Sequence, residues 1–296
     1  MMRIPKQVEI VDVAPRDGLQ NLATAVPTEQ KIKLVNELVH AGVPRIEATS
    51  FSHPKWVPQL RDAGEVLAEI DRSRATRFMV LIPNMHGYER ARRYAGLIDE
   101  VAVVVSATET MNRRNVNASI AESMRQFGQI AEQAKKDGLR IRGSIAVAFV
   151  CPFEGTTPAE QPLRLAEEFV QMGMDEILFA DTIGRANPPQ VADLLNRARE
   201  RWPDEPLAVH FHDTYHMALA NTLSALQAGV AIFDASVGGL GGCPFMPKAA
   251  GNVATERLLF MLHEMGIETG IDYDALLKAA AFAKSLKQPD TKEDTA

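Results

Sequence analysis

Residues 8–18 read VEIVDVAPRDG. Val8–Val13 is mostly apolar and β-branched, the mark of a strand covered on both faces. Ala14-Pro15-Arg16-Asp17-Gly18 is the turn that follows. This turn decides between two α/β architectures. An open doubly wound sheet expects glycine-rich G-x-G-x-x-G spacing here. The turn instead sets a cation beside an anion. A closed barrel carries its chemistry on such polar residues, at the carboxyl ends of its strands.

Outward from this turn, strand-like runs recur: Arg45–Phe51, Arg77–Ile82, Glu100–Ser106, Ile141–Val150, Glu176–Ala180, Leu207–His212 and Ala231–Val237. Amphipathic segments lie between them. Glu29–Ala41 sets Ile32, Val35, Leu38 and Val39 at helical spacing, with Gly42 just past its end. Asn117–Asp137, Pro162–Met172 and Thr214–Ala228 each stop before a glycine, and Pro189–Arg201 carries proline near its start. Strand–helix units of roughly 30 residues repeat about eight times. The prediction is an α/β fold, a (β/α)8 TIM barrel with a short C-terminal helical extension. It is expected as a single domain over residues 1–296, with its core at about 6–270, a helix at 273–287 and a frayed tail at 288–296.

The chain has 296 residues, 46% hydrophobic and 24% charged, which excludes disorder and a collagenous chain. Its net charge of -6 gives no basic stripe, so no nucleic-acid partner is expected. No run approaches the roughly 20 apolar residues that cross a bilayer, and the start lacks a secretory core. No membrane partner and a cytoplasmic location are therefore expected. The cysteines are Cys151 and Cys243, which a cytosol would keep reduced.

His210-Phe211-His212 is the strongest chemical signal. Alternate residues of a strand share a face, so both imidazoles point into the barrel mouth, roughly 7 Å apart along the strand. Asp17 can add a carboxylate and Asn252 a carbonyl oxygen. Two imidazoles with oxygen ligands suit a six-coordinate divalent metal, Mg²⁺ or Mn²⁺. Zn²⁺ fits less well without a thiolate. The plainer alternatives are hydrogen-bonded core histidines and a turn aspartate. Arg16 needs an anionic or carbonyl partner, either a ligand or an ion pair with Glu47. Asp181 ends a strand, as a site residue or as a cap for the next turn. The loop Gly238–Cys243 carries a thiol that a nearby cation would activate; the alternative is a small buried cysteine.

Together these segments resemble the 3-hydroxy-3-methylglutaryl-CoA lyase family, itself related to Claisen-type synthases. The resemblance lies in VDVAPRDGLQN (11–21), IEATSF (46–51), SATETMNRRNVNASIAES (106–123), CPFEGTTP (151–158) and ADTIGRANP (180–188). It continues through HFHDTYHMALANTLSALQAGV (210–230) and GGLGGCPFMPKAAGNVATE (238–256). The glycine-cysteine loop is the most specific element. The resemblance implies that Asp17, His210, His212 and Asn252 hold the metal, and that Arg16 polarises the thioester carbonyl. It makes Cys243 an acid/base group, with Glu47 and Asp181 in support. The implied reaction is retro-Claisen cleavage of a 3-hydroxy-3-methylglutaryl-CoA-like thioester to acetyl-CoA and acetoacetate, a step of leucine degradation. The proton of the 3-hydroxyl can go to His210 or to Cys243. The implied partner is an acyl-CoA, met by Gln20, Asn21 and Lys248. Arg113 and Arg114, after the fourth strand, are candidates for its phosphates, with a solvated surface pair as the plainer alternative; a homodimer is an open expectation.

The chain departs from the family pattern at Leu22-Ala23, at His216-Met217 and at Phe245-Met246-Pro247-Lys248. These positions lie where the acyl end and CoA would enter. They raise the alternative of a related thioester: citramalyl-CoA, giving pyruvate and acetyl-CoA, or a longer-chain hydroxyglutaryl-CoA. A Claisen-type synthase is disfavoured by the cysteine loop and by the short stretch after residue 270. A non-catalytic CoA-binding protein and a CoA-independent aldolase are further alternatives.

Overall fold

The computed structural model describes residues 4–242 and 251–287. Its strands are β1 (Glu9–Asp12), β2 (Arg45–Ser50), β3 (Arg77–Leu81), β4 (Glu100–Ser106) and β5 (Arg140–Ala146), then β6 (Val150–Cys151), β7 (Gly155–Thr156), β8 (Glu176–Asp181), β9 (Leu207–Phe211) and β10 (Ile232–Ala235). Eight of them close a barrel in the order β1-β10-β9-β8-β5-β4-β3-β2, with every pairing parallel. The α/β barrel expected from the strand–helix repeat is therefore present. No described helix is long and apolar enough to cross a membrane.

The two largest shifts of predicted boundaries each have a local reason. The run Ile141–Val150 breaks after Ala146, because Val147 adopts φ 50°. That backbone is costly for a β-branched residue. Two threonines hold it: Val147 N donates to Thr182 Oγ1 at 2.8 Å, and Thr157 Oγ1 donates to Val147 O at 2.9 Å. Val150–Cys151 then pairs antiparallel with Gly155–Thr156 as a small hairpin. The second shift is at Thr214, where a helix was expected to begin. It begins at Ala218, whose N–H donates to Asp213 Oδ1 at 3.1 Å, so the aspartate sets the start.

Most apolar residues pack between the barrel wall and its helices. Inside the wall the filling differs. Two small apolar groups, Val11, Val13, Met79 and Ala102, then Leu178, Ala180 and Ala208, share the interior with buried charge. Arg45, Glu100, Arg142, Glu176 and Asp234 are all buried. Arg45 Nη2 and Arg142 Nε both donate to Glu176 Oε1, at 2.6 and 2.5 Å. Such a floor replaces part of the branched apolar layering common in these barrels.

The helix Tyr273–Leu286 extends past the barrel, as predicted. It lies against Gly238, whose φ is 71°; a Cβ there would come within 3.1 Å of Ala283 Cβ. Lys284 Nζ pairs with Glu256 Oε1 at 2.9 Å, while Glu256 Oε2 accepts from Gly238 N at 3.0 Å. The extension thus braces the start of the glycine-rich segment.

Candidate metal centre and active site

β1 leaves the barrel through a wide turn. Val13 O accepts from the backbone N–H of Arg16, Asp17 and Gly18 at 3.2, 2.8 and 3.2 Å. This turn sets Arg16 and Asp17 at the mouth. Gly18 is required there, since a Cβ would sit 2.8 Å from Leu240 Cβ. Arg16 Nε donates to Glu47 Oε2 at 2.6 Å, and Nη1 donates to Asp17 Oδ1 at 2.7 Å. The expected ion pair with Glu47 is formed, and the guanidinium plane is fixed by two carboxylates.

His210 and His212 stand side by side with ring centroids 5.1 Å apart. A ligand atom from each and one from Asp17 lie within 4.8 Å of one another. Asn252 is 40 positions beyond His212 in sequence (252 − 212). Backbone pairing brings it in: His212 and Asn252 form an antiparallel bridge, and Val253 N donates to Phe211 O at 3.1 Å. Asn252 Nδ2 donates to Asp17 Oδ2 at 2.8 Å and to Leu240 O at 3.0 Å, which fixes the amide orientation. Gly241 makes room for that amide, because a Cβ there would lie 2.4 Å from Asn252 Nδ2.

This orientation leaves Asn252 Oδ1 buried and without a hydrogen-bond partner among the described residues, and the same holds for His212 Nδ1. Buried polar atoms left unpaired are expensive. Two orphaned electron-pair donors beside a carboxylate and a second imidazole fit a divalent cation. The donor set is oxygen and imidazole nitrogen, both of which divalent cations accept.

The protonation states of Asp17 and His212 favour the same use, while His210 must give up a proton to join them. Burial pushes Asp17 up, but Arg16, His210 and His212 more than reverse it and hold the carboxyl down at about 2. Burial and the neighbouring His210 bring His212 down to about 3, so its ring is neutral. Burial also disfavours the His210 cation, yet Asp234 and Asp17 outweigh it and raise that group. For Asp234, burial is overcome by Arg142 and His210, which lower it.

Asp181 serves the turn that follows β8. Its two oxygens accept from Arg185 N at 3.0 Å and Ala186 N at 2.9 Å. Burial pushes it up to about 6 despite those bonds. The capping alternative is thus realised, one strand away from His210. Asn21 Nδ2 donates to Gly242 O at 2.9 Å, tying the first turn to the glycine-rich segment, with Gln20 half-buried beside it. Arg113 pairs with Glu109 at 2.9 Å, and Arg114 stacks 4.2 Å above the Phe153 ring. Both arginines sit on the helix Glu109–Val116 after β4. Cys243 and Lys248 lie outside the described residues, as do Phe245, Met246 and Pro247.

Asp234 belongs beside these groups and the sequence reading did not single it out. It sits between Phe233 and Ala235 in β10, in register with His210 of β9. A charge inside an apolar strand covered on both faces was the available signal.

The HMGL-like family model matches residues 7–283. The chain belongs to the HMGL-like family. Its relatives include the hydroxymethylglutaryl-CoA lyase of Bacillus subtilis, 46% identical over 279 residues, 94% of this chain and 93% of that one. Among solved structures, the HMG-CoA lyase of Brucella melitensis superposes with a TM-score of 0.92 at 47% identity, covering 96% of this chain and 99% of that one. The HMG-CoA lyase of Acinetobacter baumannii in complex with coenzyme A and 3-methylmalate gives a TM-score of 0.89 at 38% identity. It covers 100% of this chain and 99% of that one. This HMGL-like chain is therefore a lyase by family, and its four clustered donors lie at the carboxyl ends of the strands, where barrels of this kind place their chemistry.

Proposed function

We propose that this lyase cleaves 3-hydroxy-3-methylglutaryl-CoA to acetyl-CoA and acetoacetate by a retro-Claisen reaction. The observation that carries the reading is the convergence of Asp17, His210, His212 and Asn252, two of them with orphaned buried donor atoms, beside the fixed guanidinium of Arg16. Those four residues would hold a divalent cation, Mg²⁺ or Mn²⁺ ahead of Zn²⁺. When bound, the cation supplies Lewis acidity to the tertiary 3-hydroxyl.

The chain's own residues do the rest. Arg16 presents donors where negative charge develops on the thioester oxygen, and Glu47 keeps it aimed without further reorganisation. Asp17 both faces the donor cluster and anchors Arg16, so the two functions share one turn. The 3-hydroxyl gives its proton to His210 or to Cys243, the carbon–carbon bond breaks, and acetoacetate leaves with the acetyl-CoA enolate behind it. Cys243 returns a proton to the carbon of the acetyl-CoA enolate. Gln20, Asn21, Arg113, Arg114 and Lys248 are assigned to the CoA arm. Charge reversal of Arg113 and Arg114 together should raise KM roughly fivefold, about 1 kcal/mol, with kcat unchanged. An unchanged KM returns them to the surface. The reading further takes the enzyme as a cytoplasmic homodimer; light scattering and cell fractionation check both.

Steady-state rates on a panel of thioesters test the substrate. The highest kcat/KM is expected for 3-hydroxy-3-methylglutaryl-CoA, with dependence on added Mg²⁺ or Mn²⁺. A preference for citramalyl-CoA or a longer hydroxyglutaryl-CoA would move the assignment to that substrate, and would give His216 and Met217 a part in selecting it. Absence of cleavage with every thioester would leave only binding.

A further inference from the structure

Asp234 and His210 are neighbours in register on β10 and β9, and both side chains are turned into the barrel. His210 Nδ1 lies 3.4 Å from Asp234 Oδ2. From the other side, Arg142 Nη1 donates to Asp234 Oδ1 at 2.8 Å and to Oδ2 at 3.0 Å. Arg142 is anchored in turn by Glu176, through Nε to Oε1 at 2.5 Å. Glu176 accepts from Arg45 as well. The buried floor of the barrel therefore ends, at its upper edge, on one imidazole of the mouth.

We propose that Asp234, locked by Arg142, is a positioning residue that sets the tautomer and the ring direction of His210, so that its Nε2 is the nitrogen offered to the metal. A guanidinium can only donate. Two bonds from Arg142 therefore hold Asp234 as an acceptor toward His210. The imidazole must answer with Nδ1–H. That leaves the Nε2 lone pair, on the opposite edge of the ring, free toward Asp17 and His212. His212 differs: its Nδ1 is itself the orphaned atom. Among the described residues no carboxylate bonds His212 Nδ1, so only His210 is positioned in this way.

The inference rests on the four-donor metal reading. Asp234→Asn is the decisive variant. Arg142 would capture the amide oxygen, turning the amide NH₂ toward His210. Nδ1 would then have to accept, the ring proton would move to Nε2, and the nitrogen facing the centre would lose its lone pair. Calorimetry with Mn²⁺ on the full-length enzyme should show binding weakened roughly 10- to 100-fold, the usual effect of losing a carboxylate behind a ligating histidine. At saturating Mn²⁺ the loss should appear in kcat, with KM for the thioester held. Glu100→Gln, in the same floor but away from His210, should lower the melting temperature and leave Mn²⁺ affinity intact. Equal weakening in both variants, or Mn²⁺ affinity in Asp234→Asn within threefold of wild type, would overturn the proposal. Wild type that binds no divalent cation would instead overturn the metal reading beneath it. Nitrogen NMR of wild-type His210, metal-free and with its ring neutral, needs no variant to fold: Nδ1–H is expected, and Nε2–H sinks the idea.

Discussion

Two regions of the barrel interior hold buried polar groups, and they differ in what those groups lack. In the floor, cation answers anion. Glu176 takes three guanidinium bonds, Asp234 takes two from Arg142, and Glu9 pairs with both Arg45 and Arg77. At the mouth, lone pairs face lone pairs. Asp17, His210, His212 and Asn252 converge while His212 Nδ1 and Asn252 Oδ1 find no hydrogen-bond partner among the described residues. In the floor Arg45 Nε, Arg142 Nη2 and both Glu100 oxygens also lack a hydrogen-bond partner among the described residues. There, however, unpaired donor lies by unpaired acceptor, Arg45 Nε 3.1 Å from Glu100 Oε2, and such a charge-balanced network fixes geometry. A buried cluster of acceptors that does not close is a site for something positive. Charge inside a barrel is therefore not itself a mark of function; the sign of the deficit is.

The comparison breaks most visibly if the floor proves dispensable. Glu176→Gln leaves Arg45 and Arg142 without their shared carboxylate. The expected cost is about 3–5 kcal/mol of stability, the scale for stranding a buried charge. In a melting curve that is a fall on the order of 10 °C. Mn²⁺ binding in the folded fraction should weaken far less than in Asp234→Asn, because Arg142 keeps its two bonds to Asp234. A wild-type melting temperature would mean that the floor is not what holds the barrel. For the mouth the opposite split is expected. Cys243→Ala should keep the melting temperature and lose roughly 10²–10⁴ in kcat, the range for one acid/base group. A loss below tenfold removes that thiol from the reaction. Arg16→Lys keeps the charge but cannot span Glu47 and Asp17 as a fork. It should lower kcat by roughly 10²–10³ with a smaller change in KM, as for the loss of a preorganised donor. A pure KM effect would make Arg16 a binding residue only.

The mouth was far more legible in the sequence than the floor. His210 and His212 declare a shared face by their spacing, and Arg16-Asp17 occupies the turn where a barrel does its chemistry. Asn252 is different in kind. Its place depends on a backbone bridge to His212, and the residue itself offered only a carbonyl oxygen near the start of a helix. The floor was nearly invisible. Arg45, Glu100 and Glu176 each open a strand-like run, where nothing local marks them as buried. Arg142 and Asp234 lie within such runs. The five meet only when the sheet closes and faces its strands across an interior. Local reasoning also lost Val147, whose left-handed backbone is set by threonines 10 and 35 positions away.

The last contrast is between the two histidines, and pH separates them. Asp17 is held down at about 2 and His212 at about 3, so neither takes up a proton near neutral pH. His210 is raised above its ordinary 6.5 by Asp234 and Asp17, against the opposing effect of burial. A protonated imidazole cannot ligate, so cation binding must displace one proton from His210. The sign follows. Affinity is highest, and flat, above the raised value; it falls as pH drops through that value, by about tenfold per unit for one proton. Mn²⁺ titrations by calorimetry over a pH series should show this single-proton slope beginning above 6.5. Repeating them in two buffers of different ionisation heat should count one proton released. A slope of two protons would mean that His212 titrates alongside its neighbour. The mouth would then hold two equivalent imidazoles, and the carboxylate behind His210 would no longer distinguish them.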